Sequence, residues 1–242
     1  VISVTAEENE MFQNKINIAA AVALIVLTSP VAFARDANTN PLTGHVGVNA
    51  ADESPESIKI RSGSGDPEAG REKSQLCQGC HGEFGISIEP LVPKLAGQFA
   101  VYIAKEVRNY QAGIRTHQIM NAMAATINDD DLADIAAYFA SQPKMKGNGS
   151  DNEIGKKIFQ KGNISKLLIA CINCHGVNGK GLTPRTSLFP VIGGQQKEYI
   201  RGQLINFRKG DRTNSPNGIM NKITKSLTDA EIEALAEYVS GQ

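Results

Sequence analysis

Two five-residue stretches, Cys77-Gln78-Gly79-Cys80-His81 and Cys171-Ile172-Asn173-Cys174-His175, contain all four cysteines of the chain and two of its four histidines. No other feature restricts the fold as tightly. In the C-x-x-C-H pattern each thiol adds to a haem vinyl group as a thioether, and the adjoining histidine is placed to take one axial position on the iron. A zinc site would gather four sulfurs around one metal, a redox dithiol would cycle, and structural disulfides would suit an exported chain. None of these alternatives needs a histidine directly after the second cysteine, still less twice. The motifs therefore point to two covalently attached haem c groups. Cys77 and Cys80 hold one, Cys171 and Cys174 hold the other, and His81 and His175 are the expected iron ligands.

Thioether attachment implies an oxidising compartment, and the N-terminal residues agree. From Met11 the chain passes through Lys15 into the apolar run Ile18 to Leu27, then Thr28-Ser29-Pro30 and Ala32-Phe33-Ala34. This is the order of a basic region, an apolar region and a small-residue cleavage site. About ten to twelve apolar residues are too few to span roughly 30 Å of hydrocarbon. Cleavage is expected after Ala34, releasing an exported product. Residues 1–10 carry Glu7, Glu8 and Glu10 where a signal peptide should be basic, and read as an over-extended start. Residues 35–65, rich in Asn, Gly, Ser, Asp, Glu and Pro, read as a flexible leader, with His45 as a surface residue.

Beyond the leader the chain is duplicated. Pro93, Gly97, Gln98, Tyr102, Ile103, Gly113, Arg115 and Thr116 each recur 97 positions later, and Ile119-Met120-Asn121 recurs 100 positions later as Ile219-Met220-Asn221. A shared site would not need its surroundings copied, so the pattern predicts tandem domains over 66–143 and 150–242, joined by a polar linker at 144–149. Each is expected to be a few short helices wrapped around its haem, which makes the chain all-α. Asp66-Pro67 opens the first helix, residues 99–111 form a second, and a third starts after Asn128 with Asp129, Asp130 and Asp131 in its first turn. That acidic run reads as a helix start rather than a metal site. The last helix recurs after the capping box Thr228-x-x-Glu231. Units of this size make thin cores from side chains alone, so loss of haem is expected to unfold them.

The repeat also nominates the sixth iron ligand. Met120 and Met220 are the methionines in register, whereas Met123 aligns with Ile223 and reads as core, and Met145 lies in the linker without a counterpart. His117 is the rival ligand, but its counterpart is Asn214. A thioether favours Fe(II), raises the reduction potential and fills the position that O₂ or peroxide would need, so His/Met sites relay electrons. The Pro93 and Pro190 carbonyls are candidate acceptors for the axial histidine ring N–H, with loop rigidity as an equal alternative. Tyr102 and Tyr199 pack either at the haem edge or where the domains meet. Arg115 and Arg212 either neutralise haem propionates or are ordinary surface charges.

A formal charge of zero gives no nucleic-acid signature, yet it hides an asymmetry. Residues 66–143 carry 6 basic and 10 acidic side chains, a net of −4, while 150–242 carry 13 and 8, a net of +5. Such a dipole can orient a charged partner during encounter.

Two C-x-x-C-H-G motifs, the downstream Pro93-Lys94-Leu95-Ala96-Gly97-Gln98 and its copy, and a methionine before an acidic-capped final helix resemble the dihaem cytochrome c4 family over about residues 66–242. The second copy differs by Ile192-Gly193 in place of Leu95-Ala96, three residues added before Met220, and a longer approach, Gly162 to Ile169, to Cys171. The resemblance implies tandem class I cytochrome c domains and a periplasmic electron carrier, soluble or peripherally membrane-associated, not an enzyme. Its implied partners are redox proteins: a bc-type complex or donor dehydrogenase on one side and a terminal oxidase or reductase on the other. The alternative is the dihaem subunit of a flavocytochrome sulfide dehydrogenase-like complex.

Overall fold

The computed structural model describes residues 65–182 and 188–242. The expected extension, signal peptide and leader, apart from Gly65, lie outside the described residues. Among those described, the structure is helical, with one isolated bridge between Asn163 and Leu168 and no strand.

The first repeat opens with α1 (Pro67–Lys73). Asp66 caps it by accepting the Glu68 N–H, and Pro67 sits in the first turn, where no N–H is needed. α2 (Gln75–His81) carries the first motif and stops at Gly82, whose φ is 84°. α3 (Ala100–Gln111) and α4 (Gln118–Ala124) come next. α5 (Asp129–Ser141) starts at Asn128, whose side chain accepts the Asp131 N–H, so the aspartate run does open a helix. The second repeat supplies α6 (Glu153–Lys161), α7 (Ile172–His175), α8 (Lys197–Lys209), α9 (Ile219–Thr224) and α10 (Asp229–Ser240). The expected capping box at α10 is present on both sides, Thr228 and Glu231.

In each repeat the first helix packs on the last, and the middle helix packs on both the methionine-bearing helix and the last. The first crossing depends on glycine. A Cβ on Gly70 would lie 1.9 Å from the Asp134 carbonyl oxygen, and one on Gly155 would lie 2.0 Å from that of Ala234. Backbone meets backbone here, so no side chain can yield. Gly70→Ala and Gly155→Ala are each expected to push the crossing helices apart at a cost of about 1–3 kcal/mol, read as a lower urea midpoint.

Each repeat has its own apolar cluster: Leu132, Ile135, Ala136 and Phe139 with Ile103 and Val107 in the first, Ile232, Leu235, Ala236 and Val239 with Ile158 and Phe159 in the second. A third, small cluster of Ala96, Met145 and Val191, with Phe99 against it, joins the repeats. The segment read as a polar linker is therefore partly core. Met145 is 1% exposed because both repeats close over it, and its lack of a counterpart reflects a position where the two copies meet. Lys180 fixes this segment by donating to the Met145 and Gly193 carbonyls.

Candidate haem sites and the interface between the repeats

α2 and α7 end at the two motif histidines, both buried. The glycine after each has positive φ, and a Cβ there would meet carbonyl oxygen at 2.5 Å for Gly82 and 2.2 Å for Gly176. This explains the sixth residue of each C-x-x-C-H-G. The chain reverses there and returns a proline carbonyl to the imidazole. His81 Nδ1 lies 2.8 Å from the Pro93 oxygen and His175 Nδ1 lies 2.9 Å from that of Pro190. A carbonyl can only accept, so Nδ1 carries the proton in both rings and the Nε2 lone pair is left for a metal. Burial lowers both imidazole pKa values, against the opposing effect of the proline carbonyls, and so favours the neutral form that ligates iron.

One cavity of about 640 Å³ reaches into both repeats and is lined mostly by apolar side chains. Cys80, His81 and Met120 line it from the first repeat, and Cys171, Cys174, His175 and Met220 from the second. None of the four cysteines pairs with another in a disulfide. Cys77 and Cys171 pack against the apolar clusters, where burial pushes the Cys171 thiol up to about 12 and raises that of Cys77. No group of three His, Cys, Asp or Glu able to hold a metal exists among the described residues. Thiols, two oriented imidazoles and two thioethers around an apolar hollow fit two covalent haems.

Met120 and Met220 are half-buried on α4 and α9 and line the cavity, as the repeat register requires. Met123 is half-buried but is not part of the lining, although its counterpart Ile223 is. His117, the rival ligand, caps α4 instead, its Nδ1 accepting the Met120 N–H at 3.3 Å.

Arg115 and Arg212 are not surface charges. Each is 7% exposed and its guanidinium is engaged across the boundary between the repeats. Arg115 donates to Glu106 at 2.7 Å, to the Tyr199 hydroxyl at 2.9 Å and to Gln203 at 3.0 Å. Arg212 donates to Asn214 at 2.8 Å, to Gln203 at 2.8 Å and to the Tyr102 hydroxyl at 3.1 Å, and lies 3.2 Å from Glu106. Both arginines still line the cavity, but their hydrogen bonds go to protein. The tyrosines thus lie where the domains meet. Burial alone would raise the Glu106 carboxyl, but Arg212, Arg115 and Lys105 outweigh it and hold the group at about 2. The position equivalent to Glu106 in the second repeat is Gln203, so two arginines share one carboxylate.

Sequence alone does not reveal this network, because Glu106 and Gln203 differ between the copies and look like separate helix-surface residues. Their register, 97 apart like Tyr102 and Tyr199, is the signal that could have found it.

A cytochrome c family model matches residues 67–143 and 153–242. Cytochrome c4 of Pseudomonas aeruginosa is 40% identical over 181 residues, covering 74% of this chain and 89% of that protein. The crystal structure of reduced recombinant cytochrome c4 from Pseudomonas stutzeri superposes with a TM-score of 0.69 at 38% identity, covering 74% of this chain and 99% of that one. A thiosulfate dehydrogenase electron acceptor of Stutzerimonas stutzeri is 31% identical over 171 residues, covering 68% of this chain and 78% of that protein. The fold is therefore two tandem cytochrome c domains, the cofactors are two covalent haem c groups, and the role is electron transfer between redox proteins rather than catalysis. With the motifs, the duplicated helices and the paired histidine sites all in agreement, this chain belongs to the cytochrome c4 family.

Proposed function

We propose that the protein relays single electrons in the periplasm, from a bc-type complex or donor dehydrogenase to a terminal oxidase or reductase, through two His/Met sites, His81 with Met120 and His175 with Met220. The observation that carries this reading is that each repeat presents to one cavity a buried histidine with its Nδ1 committed and a methionine from the helix before its last. Haem iron supplies a reversible one-electron couple there. The prolines fix the imidazoles, the apolar lining excludes water, and with haem bound Met120 and Met220 would hold the iron together with His81 and His175 and so keep small molecules from it.

A redox titration of the mature holoprotein should resolve two one-electron steps, and the reduced protein should not bind CO. Ready CO binding at either iron, or peroxidase turnover, would overturn the carrier reading. Export through residues 11–34 is tested in the same preparation: the periplasmic protein should begin at Arg35.

Of the two donors, the similarity to a thiosulfate dehydrogenase electron acceptor favours a periplasmic dehydrogenase over a bc-type complex. Stopped-flow reduction by each candidate donor separates the two. The −4 and +5 halves predict that the faster reaction slows as salt is added.

A further inference from the structure

Gln98 and Gln195, which in sequence mark only the approach to the middle helix of each repeat, cross to the other repeat and grip its proline loop. Gln98 Oε1 accepts the Val191 N–H at 2.9 Å, and its Nε2 donates to the Val191 carbonyl at 2.8 Å. In mirror fashion Gln195 Oε1 accepts the Lys94 N–H at 2.7 Å, and its Nε2 donates to the Lys94 carbonyl at 2.8 Å. Both glutamines are 5% exposed, and each Oε1 also accepts the N–H of the next residue at 3.0 Å, so neither amide is free to turn.

The gripped N–H and the histidine's acceptor belong to one peptide group. The Pro190–Val191 amide accepts from His175 through its oxygen and donates to Gln98 through its nitrogen. The Pro93–Lys94 amide does the same between His81 and Gln195. An amide whose N–H is bonded to an acceptor places more negative charge on its oxygen, so the bonds reinforce one another. A stronger acceptor on Nδ1 makes the imidazole a more basic ligand, which stabilises Fe(III). We propose that Gln98 and Gln195 are positioning residues acting across the interface, each lowering the reduction potential of the haem in the opposite repeat. The proposal rests on the two-haem reading above and adds a route by which displacement of one repeat alters the iron of the other.

The test is a redox titration of wild type, Gln98→Met and Gln98→Glu holoproteins. Each step is assigned to its repeat by NMR of the Met120 and Met220 methyl groups. Methionine removes the acceptor while keeping the length. At the wild-type midpoint of the His175 haem, it is expected to move the Fe(II)/Fe(III) ratio about two- to threefold toward Fe(II). That is about 18–28 mV at 59 mV per tenfold change, with the His81 haem unmoved. Glutamate keeps an oxygen toward Val191 and should return the potential to the wild-type value or below. Gln195→Met should shift the His81 haem instead. A shift confined to the variant's own repeat, equal on both haems or absent, or a Glu variant that rises like Met, would defeat the coupling. If Gln98→Met does not fold, the Glu variant and hydrogen exchange at the wild-type Val191 amide still decide: a raised potential or a fast-exchanging amide overturns it. A wild-type protein lacking two covalent haems would instead sink the functional reading before any variant is made.

Discussion

Glu106→Ala is expected to destabilise the protein by about 3–5 kcal/mol, because it strands two buried guanidinium groups whose shared carboxylate is gone. Removing one partner of a buried ion pair costs more than the pair itself contributes, since the remaining charge has neither water nor counter-ion. The loss should fall on the boundary between the repeats, where Arg115, Arg212, Tyr102, Tyr199 and Gln203 meet. Denaturant unfolding followed at each haem band should separate into two transitions, where a single one is expected for wild type. Glu106→Gln keeps acceptor oxygen but not charge and should lose less.

The same carboxylate gives the interface an acid dependence. Its folded-state pKa lies near 2, below the ordinary 4.5, so its contribution is complete above about pH 4.5 and disappears as pH falls toward 2. Thermal midpoints measured across that window should fall more steeply for wild type than for Glu106→Gln, which has no proton to take up. Equal slopes would show that Glu106 does not carry the acid response.

The second large effect concerns the iron. Met120→Ala or Met220→Ala should each abolish about half of the ferric iron–sulfur charge-transfer absorption and lower one of the two potentials, leaving an iron open to CO. Met123→Ala should leave the band nearly intact, since that side chain is not among those lining the cavity. If either in-register methionine can be removed with the full band retained, its assignment as a ligand fails.

The proline carbonyls and the two arginines are legible in the sequence as positions but not as roles. Pro93 and Pro190 could equally be loop stiffeners until their oxygens are seen 2.8 and 2.9 Å from the imidazoles. Arg115 and Arg212 carry no sign of burial, because part of what closes over each lies on the other copy, Tyr199 and Gln203 for Arg115 and Tyr102 and Glu106 for Arg212. Helix α6 is not among the expected helices, although Asn152, Glu153 and the buried pair Ile158 and Phe159 form a cap, an acidic first turn and an apolar face. The longer approach from Gly162 to Ile169 breaks the register that would pair it with the first helix of the other copy.

The amino-acid sequence by itself determined the covalent chemistry, the duplication, the helix starts at Asp66, Asn128 and Thr228, and the nomination of Met120 and Met220. These depend on residues close together in the chain or repeated at a fixed interval, and such relations survive in one dimension. Tertiary structure alone decided that Met145 is core, that one carboxylate serves two arginines, and that Gln98 and Gln195 hold each other's proline loops. Apart from Glu106–Arg115, which are nine positions apart, those contacts join residues about 50 to 110 positions apart. Whether two such groups meet is fixed by how the packed repeats come together, and no local propensity encodes that.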